Sequence, residues 1–114
     1  MKRLLFIPIF ITGLLFGGNY TTNEASNHIG ENATVCGTVS SGHYARSTRG
    51  EPTFINLDGV YPNQAFTIVI WGSDRDKFSS PERKYNDKKI CVTGIIDSYR
   101  SIPQIVATDK SQIK

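Results

Sequence analysis

The stretch from Gln64 to Asp76, QAFTIVIWGSDRD, decides the fold of this chain. Its apolar run alternates between two sets of side chains, Phe66, Ile68 and Ile70 on one side and Thr67, Val69 and Trp71 on the other. Such alternation predicts a β-strand ending at Gly72, and the Ser73-x-x-Asp76 pair that follows is typical of a helix start. Because both sides carry apolar residues, we expect the strand to lie inside a sheet, with one face in the core and the other partly covered or bound.

The first residues have the pattern of an export signal. Met1-Lys2-Arg3 is positively charged, and the apolar run from Leu4 to Phe16 that follows is short for a membrane span. We therefore predict a signal peptide and flexible lead-in over residues 1–25, and a periplasmic or secreted protein with no stable membrane insertion after cleavage. An uncleaved N-terminal anchor is the alternative. The polar segment from Asn19 to Glu31 lacks periodicity and is expected to be flexible.

The part of the chain after the signal is nearly neutral. Of the 13 Lys and Arg residues, Lys2 and Arg3 lie in the signal, which leaves 11 basic against 10 acidic residues. A net charge this small gives little long-range attraction to phosphate backbones. Any binding of a polyanion would therefore have to be local.

Two cysteines in a small exported chain favour one disulfide. Cys36 lies in the segment 35–39, VCGTV, and Cys91 lies in the segment 90–94, ICVTG. In each segment the aliphatic residues alternate with Cys and Thr, so both sulfurs leave the sheet on the same face if the two strands are neighbours. The alternative is two buried, unpaired thiols that behave as small apolar side chains.

Four further strands are predicted around the quoted one. Their bounds are Asn32–Ser40, Pro52–Leu57, Lys89–Asp97 and Gln104–Thr108, and the connection from Ser73 to about Lys84 is predicted to be partly helical. Pro81 interrupts this connection, which leaves open two short helical turns or one helix with a break. Gly37 and Gly94, at the middle of the first and fourth strands, predict that both strands bend or bulge.

Two loops carry aromatic rings beside arginines. The loop from Ser41 to Glu51, SGHYARSTRGE, contains Tyr44, Arg46 and Arg49. A hairpin tip between the fourth and fifth strands places Tyr99 next to Arg100. Guanidinium groups and phenol rings in this arrangement suit phosphate binding and base stacking. The alternative is that the arginines are simply solvated.

Five strands with a helix between the third and fourth, and with glycines in the first and fourth, are the arrangement of the OB-fold, an all-β five-stranded Greek-key barrel. Four segments carry a closer likeness, namely VCGTV at 35–39, PTFINL at 52–57, PNQAFTIVIWGSDRDKF at 62–78 and KKICVTGIIDSYRSIPQIVATDKSQI at 88–113. Together they resemble the small exported bacterial OB-fold proteins described as nucleic-acid-binding-like, whose domain also occurs appended to thermonuclease-type enzymes.

The resemblance covers about residues 29–113, the predicted OB-fold domain. It implies that the first and fourth strands are antiparallel neighbours, as the parity of the cysteines requires. Ser101 stands where that family frequently has Gly, so a less tight hairpin tip is expected.

The resemblance also implies a binding site, because OB-folds bind ligands on the second and third strands and the loops beside them. The residues that this mapping brings together are Tyr44, Arg46, Arg49, Phe54, Asn56, Trp71, Tyr99 and Arg100. Rings and guanidinium groups of this kind suit a stacked single strand of nucleic acid with a few phosphate contacts. For Phe54 and Trp71 the alternative is packing in the core or at the barrel end.

We predict a non-catalytic OB-fold binding module for single-stranded DNA or RNA, or an accessory to a nuclease that would be its protein partner. The alternative is a periplasmic OB-fold protein that binds a small molecule, a cation or another protein. No enzymatic activity is predicted, because the four residues Asp58, Asp74, Asp76 and Asp97 are scattered and both cysteines lie within strands. Neither a metal site nor a cofactor is predicted, since no zinc-type ligand spacing occurs.

Overall fold

The computed structural model describes residues 17–114, and the predicted signal residues up to Phe16 lie outside the described part. The described chain is all-β, as predicted. Its strands are β1 (Asn19–Thr21), β2 (Asn32–Tyr44), β3 (Thr53–Leu57), β4 (Phe66–Ile70), β5 (Lys89–Tyr99) and β6 (Ile102–Val106). Its short helices are the 3₁₀ turns Ala25–His28, Gly72–Lys77 and Lys110–Gln112 and the α-helix α1 (Pro81–Lys84). Between residues 17 and 114 no helix is long and apolar enough to cross a membrane.

The strands form one six-stranded sheet in the order β1-β2-β3-β4-β6-β5, and β2 also pairs with β5. The β1–β2 and β4–β6 pairs are parallel and the other pairs are antiparallel. β2 is 13 residues long and pairs with two different strands. The half that begins at Asn32 pairs with β5, and the half that ends at Tyr44 pairs with β3. One long strand thus joins the two halves of the sheet.

The bend in β2 falls later than the sequence predicts. The register with β3 shifts between Val39 and Ser41, which is a bulge of the kind that bends a strand. Gly37 has a different role, because a Cβ there would lie 2.7 Å from Thr22 and 2.8 Å from the Asp58 carboxylate. Gly37 therefore leaves room for contacts between β2 and the segments beside it.

The core follows the predicted alternation. The side chains that point inward from the strands are fully buried and include Val35, Val39, Ile55, Leu57, Phe66, Ile68, Ile70, Val92, Ile96 and Ile105. On β4 the other face is buried as well, since Thr67 and Val69 have little exposed surface. The prediction that β4 lies inside the sheet is confirmed.

Cys36 and Cys91 form a disulfide, as predicted. The two residues are directly opposite each other in the antiparallel β2–β5 pair. The backbone N–H and C=O of Cys91 bond instead to Lys114, on the other side of β5. The cysteines are therefore a pair without mutual backbone hydrogen bonds, the geometry in which opposite Cα atoms approach most closely.

Residues 19–28 are structured where the sequence predicts a flexible lead-in. β1 runs parallel to β2, the hydroxyl of Thr22 donates to Asp58 at 2.6 Å, and Ala25 is fully buried. A three-residue strand and one helical turn are too short to show a hydrophobic period, so no pattern in this segment predicts them.

Several element bounds also differ from the prediction. β2 continues to Tyr44, so the first loop begins at Ala45 and not at Ser41. The helical connection has two short turns, one of the two predicted forms, and Pro81 begins the second. At the β5–β6 tip, Arg100 and Ser101 have φ of 51° and 70°, which are typical of a two-residue hairpin turn. The tip is therefore tight even without Gly at Ser101.

Candidate binding face

A cavity of about 740 Å³ lies on the outer face of the sheet. Its floor is made by residues that stand opposite one another in adjacent strands: Ser41, Asn56 and Thr67 in one row, and His43 and Phe54 in the next. These positions alternate with the core residues, so their side chains leave the sheet on the side away from the core. We call this space the sheet-face cavity.

Three segments make the walls of the sheet-face cavity. The first is the β3–β4 connection with Val60, Tyr61 and Gln64, the second is the β5–β6 tip with Tyr99 and Arg100, and the third is the loop after β2 with Ala45 and Thr48. The loop after β2 and the β3–β4 connection lie at opposite ends of β3, and the β5–β6 tip reaches the cavity beside β4, which pairs with β6.

The β3–β4 connection is held in place by a compact turn. Gly59 has φ of 138°, and a Cβ there would lie 2.5 Å from the carbonyl oxygen of Asn63. Its N–H donates to the hydroxyl of Ser40 at 2.9 Å, and the N–H of Asn63 donates to the carbonyl of Val60 at 2.7 Å. Glycine is therefore required at residue 59 for the turn that carries Tyr61 to the cavity.

A chain of hydrogen bonds runs across the floor. The Nδ2 group of Asn56 donates to Ser41, the hydroxyl of Thr67 donates to Oδ1 of Asn56, and Nε2 of Gln64 donates to Oγ1 of Thr67. Asn56, Thr67 and Gln64 are only 2%, 5% and 8% exposed. The network formed by these four side chains is thus polar and largely buried, and it contains no charged group.

One atom of this network has no partner. Oε1 of Gln64 is buried and makes no hydrogen bond, and no other buried side-chain nitrogen or oxygen of residues 17–114 is left in this way. Leaving a buried acceptor unpaired costs about 1–3 kcal/mol. An unpaired group of this kind therefore calls for a reason.

The rim of the cavity is aromatic and exposed. Val60, Tyr61 and Tyr99 are 56%, 73% and 60% exposed, although apolar and aromatic side chains of this size are usually covered. The guanidinium group of Arg100 lies 5.3 Å from the centre of the Tyr99 ring. Arg100 is also the one lining residue, among those described, with a permanent charge. The site therefore combines ring faces and amides with a single cation.

The structure brings four of the sequence-predicted site residues to this cavity: Phe54, Asn56, Tyr99 and Arg100. It does not bring Arg46, Arg49, Tyr44 or Trp71 there. The Trp71 ring, which is 42% exposed, lies on Gly50 beyond the end of β4. Asn56 is a floor residue with both amide atoms bonded.

Tyr44 is occupied by contacts within the protein. Its hydroxyl donates to Glu51 at 3.0 Å, and this hydrogen bond raises the pKa of Tyr44 above its usual value. The guanidinium group of Arg75 lies 3.6 Å from the centre of its ring, and that of Arg46 lies 5.4 Å away. The ring is thus covered by Arg75, which lies in the helical connection. Tyr44 stands opposite Thr53 on β3, and this explains why Arg75 can contact both residues.

Sequence reasoning missed Tyr61, Gln64 and Thr67 as site residues. Thr67 could have been found, because it is the polar member of the outward set on β4 and stands opposite Asn56. Tyr61 lies in a turn segment whose direction depends on Gly59. Gln64 precedes β4 without any pattern, so only the fold shows that it faces the cavity.

Comparisons of the chain with protein-family models, with curated proteins and with solved structures find no match. The resemblance to exported OB-fold proteins therefore stays a prediction.

Proposed function

We propose that the protein is an exported, non-catalytic binding module with an OB-fold barrel, and that it binds single-stranded nucleic acid in the sheet-face cavity. The strand order supports the barrel, because β2 pairs with both β3 and β5 and the β4–β6 pair is parallel. The position of α1 between β4 and β5 also matches that fold. The disulfide supports export, since disulfides persist in oxidising compartments.

The observation that carries the proposal is the composition of the sheet-face cavity. Exposed rings of Tyr61 and Tyr99 beside the half-buried Phe54 offer apolar faces on which bases can stack, and stacking of one base is worth about 1–3 kcal/mol. The amide of Gln104, which lines the cavity from β6, can bond to base edges, and Arg100 can hold a phosphate. OB-folds use the corresponding face and loops for oligonucleotides.

The cavity also supports a role without catalysis. General acid–base chemistry requires paired titratable groups within reach of one another. Among the described residues that line the cavity there is neither a carboxylate nor a cysteine. A module of this kind could act alone or as an accessory to an exported nuclease.

The test is fluorescence anisotropy with labelled oligonucleotides of about ten nucleotides at low salt. We expect Tyr99→Ala to weaken binding by about 5- to 100-fold, the effect of losing one stacked base. Ile95→Ala is the matched control, because Ile95 is an exposed apolar residue that does not line the cavity. The proposal is wrong if the unmodified protein does not bind any of the oligonucleotides, or if both variants bind equally well.

A second candidate is a neutral small molecule that fills the same cavity. It is favoured by the near-neutral charge of the chain and by the single permanent charge in the lining. Binding of a ligand without phosphate, with an affinity that does not change with salt, would select this candidate over nucleic acid.

A further inference from the structure

The Gln64 amide is the last member of the network beneath it. Nδ2 of Asn56 donates to Ser41, and Oδ1 of Asn56 accepts from the hydroxyl of Thr67. Thr67 has one hydroxyl hydrogen, so with this hydrogen on Asn56 it can only accept from Gln64. In this arrangement Nε2 of Gln64 is the bonded atom and Oε1 is the free one.

The free atom needs a donor that the described residues do not supply. Oε1 is out of contact with bulk water, although the Gln64 side chain lines the cavity. The neighbouring wall is made by Val60 and Tyr61, which are both largely exposed. Because Gln64 itself lines the cavity, a group that enters there and displaces the atoms that cover Oε1 can bond to it.

The chemistry of that group is restricted. A carbonyl oxygen with no donor beside it repels a phosphate and attracts an N–H or O–H group. The phosphate-binding side chain, Arg100, lies instead on the hairpin tip at the rim. The backbone of a bound strand would thus remain at the rim while the base enters the cavity.

We propose that one nucleobase enters the sheet-face cavity edge-first and donates a hydrogen bond from its exocyclic amino group to Oε1 of Gln64. This inference rests on the proposed function and adds the selectivity of the site. Adenine, cytosine and guanine carry such an amino group, whereas thymine places carbonyl oxygens on either side of its single N–H. The site therefore prefers the three bases with an amino group to thymine.

The first test measures the binding of two ligands to the unmodified protein and to a variant. Gln64→Met keeps the length of the side chain and removes its acceptor. The ligands are a short deoxyadenosine oligomer and the same oligomer with purine, which lacks the amino group, in place of adenine. We expect the unmodified protein to bind the adenine oligomer about fivefold more tightly than the purine oligomer, the effect of one neutral hydrogen bond. Gln64→Met should bind the two oligomers equally, and Ile95→Ala should keep the fivefold difference.

Thermal unfolding of the same variants without ligand is the control for folding. Gln64→Met loses the hydrogen bond from Nε2 to Thr67 as well as the unpaired acceptor, so the titrations are made at a temperature at which every variant is folded.

Equal binding of the two oligomers by the unmodified protein would overturn the inference. An adenine preference that persists in Gln64→Met would overturn it as well, while the proposed function would stand in either case. If the unmodified protein binds neither oligomer, the proposed function fails and this inference fails with it.

Discussion

Arg75 joins three parts of the chain through one guanidinium group. It donates to both carboxylate oxygens of Glu82 at 2.9 and 3.2 Å and to the hydroxyl of Thr53 at 2.7 Å, and it covers the ring of Tyr44. The side chains of Arg75 and Glu82 are 20% and 17% exposed, so the pair is largely shielded from water. This contact fastens the helical connection to β2 and β3.

We expect Arg75→Ala to lower the free energy of unfolding by about 2–3 kcal/mol. The reason is that Glu82 and Thr53 lose a charged donor while they remain largely buried. Arg75→Lys keeps the charge but cannot bond to both carboxylate oxygens, so it should lose less. Urea denaturation of the unmodified protein, Arg75→Ala and Arg75→Lys measures these losses. A change of less than 0.5 kcal/mol in Arg75→Ala, about the scatter of surface substitutions, would contradict the prediction.

The same contact predicts a dependence on pH. The hydrogen bonds from Arg75 lower the pKa of Glu82 below its ordinary value of 4.5. A carboxylate with a lowered pKa contributes stability above its unfolded pKa, and this contribution is lost as the pH falls through the folded pKa. Glu82→Gln should therefore lose less stability than the unmodified protein between neutral pH and about pH 3, as followed by urea denaturation at each pH. Equal losses in both proteins would show that the ionised Glu82 contributes nothing.

The residues of the candidate site differ in how far the sequence could predict them. Phe54 and Asn56 follow from strand alternation, because any residue between Thr53, Ile55 and Leu57 must leave the sheet on the other face. Tyr44 has the same chemical character as Tyr99, yet Arg75 and Glu51 cover it. Which ring is free depends on contacts across about 30 residues of chain, and no local pattern reports those.

At the scale of elements, the disulfide closes the largest loop in the described chain. It joins β2 and β5 across 55 residues of sequence, and a closed loop of that length stabilises by about 4 kcal/mol in the chain-entropy model. The double variant Cys36→Ala, Cys91→Ala should therefore unfold at a lower urea concentration than the oxidised protein. A reductant should lower the midpoint of the unmodified protein and leave that of the double variant unchanged. Equal midpoints for the two oxidised proteins would contradict the prediction.

The strands were predictable where they are long enough to show a period. β4 is the clearest case, since five alternating residues are bounded by Gln64 and Gly72. β1 was not predictable, because three residues cannot show alternation and each pairs with a residue 15 positions further along the chain. The bulge between Val39 and Ser41 also gave no local signal, since neither residue is the glycine that marks many bulges.

At the scale of the whole molecule, charge sets the kind of binding to expect. The chain is close to neutral without Lys2 and Arg3, and the cavity lining includes one permanent charge, that of Arg100. Release of counterions from a single strand gives a slope of about −0.7 per phosphate contact in log K against log salt. We therefore expect a slope between about −0.7 and −1.4 for one or two contacts, measured by oligonucleotide titrations at several salt concentrations.

Arg100→Ala should bring this slope closer to zero, while Lys89→Ala should leave it unchanged because Lys89 does not line the cavity. A steep slope, or an equal effect of the two variants, would mean that phosphates bind somewhere other than the sheet-face cavity.

The long strand β2 separates two regions of the molecule. The half that begins at Asn32 pairs with β1 and is joined to β5 by the disulfide. The backbone of Lys114 bonds to the backbone of Cys91 on the side of β5 that faces away from β2. The other half of β2 forms the floor of the cavity at Ser41 and His43. A tether or a fused domain attached before Gly17 or after Lys114 would therefore leave from the half that holds the disulfide. The opposite half would stay uncovered, so this domain could form part of a larger protein with the sheet-face cavity still open.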